Sequence, residues 1–171
     1  MATTLKDETI LNQWTMLIDG AAGQEAGVLR DIQEGLRAAQ IPGGCTWEVD
    51  EVKAGGWLDK VKRDFLIVKI DQFRDYRTYV GVRDYGSHLH LCRFLTVEPG
   101  AFKKMIASSL SSSNDPYALS APKNILVEQD LSAWATVVHH AVLDATSALM
   151  TKQGQDPSKI RRESRGILEV W

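Results

Sequence analysis

From Thr46 to Val97 the chain alternates apolar and polar residues through four consecutive runs, and no other stretch limits the possible folds as tightly. The runs are roughly Thr46 to Lys53, Asp64 to Asp71, Arg77 to Asp84 and Ser87 to Val97. Period two is the signature of strands with one buried face. Turn chemistry separates the runs at Gly55-Gly56, at Phe73 to Asp75 and at Tyr85-Gly86, and connections this short make neighbouring strands antiparallel. The alternation assigns Trp47, Val49, Leu66, Val68, Ile70, Val80, Val82, Leu89, Leu91 and Leu95 to one face, which predicts that helices cover it.

Helical spacing flanks this block. Ile10, Leu11, Trp14, Leu17 and Ile18 recur at helical intervals, and Val28, Leu29, Ile32 and Leu36 do so after Gly20, Gly23 and Gly27. The pattern predicts two helices, or one kinked helix, ending before Pro42-Gly43-Gly44. After the strands, Pro99-Gly100 opens a short amphipathic helix through Phe102, Met105, Ile106 and Leu110, and 107–124 reads as a mobile, serine-rich loop.

The last helix is expected to run from Asp130, as N-cap, to Gly154, as the C′ residue, with Pro157 beyond it. Leu131, Trp134, Val138, Val142, Ala145 and Leu149 form its apolar stripe, with Trp134 buried, while His140 and Asp144 point away. A helix of this length spans roughly 35 Å, matching strands of eight to ten residues at roughly 3.4 Å each. The expected fold is therefore α+β: one domain over 1–171, a four-stranded antiparallel sheet, helices on one face, the long C-terminal helix across the sheet, and a tail at 155–171.

Composition narrows the function classes. With 20 Lys+Arg against 22 Asp+Glu, no global field draws the 171-residue chain to nucleic acid or anionic lipid. Cys45 and Cys92 are too few for a disulfide framework, which points to a reducing, cytoplasmic setting. The N-terminal residues lack a signal-peptide pattern and no run is long and apolar enough to span a membrane, so no membrane partner is expected.

The common catalytic signatures are missing: no phosphate-loop lysine motif, no dinucleotide fingerprint, no nucleophile elbow, no paired cysteine motif. Gly20, Gly23 and Gly27 lack the lysine and hydroxyl of a phosphate loop and read as a helix break. His88, His90 and Cys92 share one strand face and are the candidate metal ligands, with Asp71, Arg83 or Asp84 assisting. His88 and Cys92 are separated by roughly 13 Å along a strand, so at most a neighbouring pair shares an ion. His139 and His140, with Asp144 one turn on, read as a solvated helix face lacking a nucleophile. Lys159, Arg161, Arg162 and Arg165 form the one basic cluster, diluted by Asp156 and Glu163 and without interleaved aromatics.

Arg83-Asp84-Tyr85-Gly86, the segment from Ala133 to Met150 and Arg165-Gly166-Ile167-Leu168 resemble segments of uncharacterised bacterial proteins. The resemblance implies a bacterial origin and carries no activity. From the residues themselves the expected function is a non-enzymatic protein-interaction or assembly domain, binding a protein partner or its own copies. Its surface would comprise Phe65, Tyr79, His88 and His90 on the second sheet face, together with Leu168 and Trp171 of the apolar tail. That face is expected to be half open, with Cys92 reactive. No cofactor is implied. The alternatives are a metal-binding protein or enzyme on the His88, His90, Cys92 face, and weak nucleic-acid binding through the basic cluster.

Overall fold

The computed structural model describes residues 3–4, 9–54, 61–98, 100 and 125–166. In chain order the elements are β1 (Thr3–Thr4), β2 (Thr9–Ile18), α1 (Glu25–Ala38), β3 (Cys45–Ala54), β4 (Val61–Ile70), a 3-10 turn (Asp71–Phe73), β5 (Tyr76–Tyr85), β6 (His88–Val97), α2 (Ile125–Lys152), a second 3-10 turn (Pro157–Lys159) and β7 (Arg165–Gly166). The expected antiparallel block appears as β3 to β6, each neighbour paired with the next. Its tightest turn has two residues between Tyr85 and His88, with Gly86 at φ 63°, a conformation that glycine adopts without a Cβ penalty.

The sheet is larger than the four strands expected. Among the described residues it has seven, in the order β1-β3-β4-β5-β6-β2-β7, of which five are ten residues long. The additional long strand is β2, where helical spacing predicted a helix. A register shift between Ile10 and Asn12 on β6 is the reason. The bulge brings Leu11 into the core beside Trp14 and Ile18, so inward residues recur at intervals of three and four although the backbone is extended. Leu17, counted there as helical, is exposed on the other face.

β2 runs antiparallel to β6, and β6 is the last strand of the meander, so β2 and β3 point the same way from opposite sides of it. α1 makes that crossover and buries Val28, Ile32 and Leu36, one residue per turn. Gly35 meets Ala141 of α2, where an added Cβ would lie 3.4 Å from the Ala141 Cβ, and this lets the two helices approach closely.

α2 starts five residues before Asp130, which is a helical residue accepting a hydrogen bond from Gln72 and not the cap. Its other end is as expected. Gly154 adopts φ 71°, its N–H reaches the Thr151 carbonyl, and Gln155 N–H reaches the Met150 carbonyl, closing the helix as a Schellman motif. The expected stripe from Leu131 to Leu149 is buried, with Trp134 only 3% exposed, and His140 and Asp144 are exposed. Burial extends further round the helix, to Ala135, His139, Leu143 and Met150.

Both helices share one core with the inner face of the sheet, where Leu66, Val68, Ile70, Val80, Val82, Leu89, Leu91 and Leu95 lie as the alternation assigned them. On β3, Trp47 packs part-buried against the same core, while Val49 departs from the assignment at 52% exposure. The expected short helix through Phe102 to Leu110, the 107–124 loop and the tail residues 167–171 fall outside the described residues.

Candidate functional site

Alternation along β6 turns His88, His90, Cys92, Phe94 and Thr96 away from the helices, and the register places Gln13, Thr15 and Leu17 of β2 and Tyr79, Gly81 and Arg83 of β5 beside them. This second face is apolar at its centre. Val52, Phe65, Ile67, Tyr79 and Cys92 form a buried cluster, with Phe94 packed against it. Phe65 meets Tyr79 edge to face at 6.1 Å and Phe94 at 6.5 Å.

Of the interaction residues read from the sequence, Phe65 and Tyr79 come together but are buried, Tyr79 completely. His88 and His90 are half-buried. Leu168 and Trp171 lie outside the described residues. The two histidines turn to different partners: His88 Nδ1 lies 3.0 Å from Asp19 Oδ1, and His90 Nε2 lies 2.9 Å from Thr15 Oγ1, whose hydroxyl reaches the Leu91 carbonyl at 3.2 Å. Burial lowers the His90 pKa, and the charges of Arg83 and Arg63 push it the same way.

Cys92 is not the half-open thiol expected. It is 7% exposed and its pKa is pushed up to about 11, chiefly by burial, against the opposing pull of the Gly81 backbone and of Arg83 and Arg63. Gly81 makes the room: a Cβ there would lie 2.8 Å from the Cys92 Sγ and 2.8 Å from the Phe65 ring. Asp84 lies on the inner-face register, accepting from the Gly23 N–H with both oxygens, and Asp71 sits against Gly44. Among the described residues, no group of three or more His, Cys, Asp or Glu side chains is placed to hold a metal ion.

Where β2 and β6 meet the C-terminal segment, the second face opens into a groove of about 400 Å³. Gln13, Thr15, His90, Cys92 and Phe94 form its floor, and Arg161, Glu163 and Arg165 its rim. Cys92 also lines a smaller recess of about 140 Å³ with Glu25, Arg63, Asp64, Phe65, Gly81 and Arg83. The Glu25 carboxyl is raised there by burial and by the charges of Asp84 and Asp64.

The rim belongs to a strap over residues 160–166, held from the core. Ile160 is buried, the Trp14 indole N–H donates to the Arg161 carbonyl, His139 Nε2 lies 2.6 Å from the Arg162 carbonyl, Asn12 Nδ2 donates to Ser164 Oγ at 2.7 Å, and Arg165 and Gly166 pair with Gln13 and Asn12. His139, read from the sequence as solvated, is fully buried because this strap lies over it. Asn12 also accepts from Arg93 Nη2, and Arg93 is a fully buried guanidinium on the inner face, paired with Val80 and Trp14.

The sequence singles out the histidines and Cys92 as candidates but does not reveal the strap or the groove that it completes. A signal was present: Arg161, Glu163 and Arg165 alternate with period two between Pro157 and Gly166, as an extended segment would. Compared with known proteins, the chain matches no family model, no curated protein and no solved structure.

Proposed function

We propose that this chain is a non-enzymatic protein-interaction domain, and that an extended segment of a partner protein docks in the groove over β2 and β6. The observation that carries the reading is the groove itself together with what extends it. Its volume lies in the range of ligand clefts, but exposed Ile10 and Leu17 continue the apolar surface along β2 on the same face. They are separated by roughly 20 Å at strand rise, a length that suits a peptide strand better than a compact small molecule. The chemistry of the floor favours binding over catalysis: the Cys92 thiol stays protonated at neutral pH, and a thiolate is what a cysteine nucleophile requires.

The reading is tested by selecting peptides from a random display library on the immobilised chain and mapping the enriched sequences by amide chemical shifts. Enriched peptides are expected to shift Gln13, Thr15, His90, Phe94 and Arg165, and to bind at least tenfold more weakly to Leu17→Asp. Absence of any enriched peptide, or shifts confined to the exposed helix surface, would overturn it.

A further inference from the structure

Arg161, Glu163 and Arg165 line the groove, whereas the exposed Arg162 does not, and Ser164 turns to Asn12. The rim thus offers a plus-minus-plus row, with successive charges separated by roughly 7 Å, twice the rise of an extended chain. A partner segment that is itself extended presents alternate side chains at the same spacing, so its residues i, i+2 and i+4 can meet the three rim residues one to one. None of the three is engaged in a salt bridge among the described residues, and all three are exposed. The floor beside them is apolar at Phe94 and neutral at Gln13 and Thr15, so the rim dominates the local charge pattern. In the adjoining recess, Arg63 and Arg83 stand against Glu25 and Asp64 and add no net sign of their own.

Resting on the docking proposed above, we infer that the partner segment carries carboxylates four residues apart with a basic residue midway, flanked by apolar residues. Its carboxylates meet Arg161 and Arg165 and its cation meets Glu163. Each contact is a partly solvated ion pair of modest strength, so the pattern sets register and partner choice more than affinity. The strap is positioned by Trp14, His139 and Asn12, of which Trp14 also lines the groove.

The test uses two synthetic peptides on the full chain at low salt, one with Glu-Leu-Lys-Leu-Glu at its centre and one with Lys-Leu-Glu-Leu-Lys, the flanking residues being identical and apolar. The first is expected to bind roughly tenfold tighter, the sum of three favourable against three unfavourable exposed pairs, and the gap is expected to shrink as salt rises. The triple variant Arg161→Glu, Glu163→Lys, Arg165→Glu is expected to reverse the preference while keeping the wild-type melting temperature. Equal binding of both peptides, or a preference that survives the triple variant, overturns the charge pattern and leaves docking in the groove intact. If neither peptide binds, the docking site and the charge pattern fall together.

Discussion

Trp14 and His139 meet edge to face, their ring centroids 5.8 Å apart and their planes at 72°. One ring comes from β2, the outermost long strand on its side of the sheet, and the other from the last helix. Each reaches past the other to a neighbouring carbonyl of the strap, Trp14 to Arg161 and His139 to Arg162. The pair therefore couples the core to the rim of the groove, and the consequences are measurable.

Trp14→Phe keeps most of the buried ring and removes the indole N–H. The lost hydrogen bond is expected to cost about 1–2 kcal/mol in urea melts. It is also expected to loosen the strap, so that trypsin cleaves after Arg161, Arg162 or Arg165 faster than in the wild type. An unchanged cleavage rate would mean that the indole does not hold the strap.

His139 makes stability depend on pH with a definite sign. Burial lowers its pKa from 6.5 to about 4, the bond to Arg162 opposes the shift, and the charges of Arg93 and His140 add to it. The carbonyl of Arg162 can only accept, so Nε2 carries the proton, and protonating Nδ1 would bury a second cation near Arg93. The unfolded chain binds the proton more readily than the folded one, so stability is complete above about 6.5 and falls as pH drops toward 4. The slope is at most about 1.4 kcal/mol per pH unit. His139→Gln is expected to flatten that part of the stability curve relative to wild type, measured by denaturant melts across the window.

Arg93 is buried, its Nε and Nη1 have no hydrogen-bond partner among the described residues, and Asn12 accepts from its Nη2. Desolvation pushes its pKa down to about 10, which still leaves it charged at neutral pH. A buried charge so poorly matched contributes little stability by itself, so Arg93→Met is expected to fall within about 1 kcal/mol of wild type or above it. Asn12→Ala strips the guanidinium of that acceptor and is expected to cost about 2–3 kcal/mol. Combining the two is expected to cost less than their sum, because the charge that made the loss expensive is gone.

Cys92 is expected to resist a thiol reagent in the native state at neutral pH and to react only on unfolding, since it is buried and held protonated. Gly81→Ala pushes a methyl into Cys92 and Phe65, and is expected to cost about 1–3 kcal/mol by overpacking. If the native thiol of that variant also becomes reactive, the close fit of Gly81 is what seals Cys92.

Read alone, the sequence determined the antiparallel meander from Cys45 to Val97, the apolar inner face of its strands, the stripe of the last helix and the glycine that ends it. These are local periods and local caps, set by pleat, helical repeat and positive φ. Only the tertiary structure decided that Thr9–Ile18 is a strand, because one bulge shifts the phase and makes an extended segment imitate helical spacing. It also decided the candidate site. Trp14 and Arg161 are separated by 147 residues in sequence, and Asn12 and Ser164 by 152. No period within either segment specifies the other, so which strand edge the strap lies along, and hence which arginines border the groove, follows from chain closure around the whole sheet.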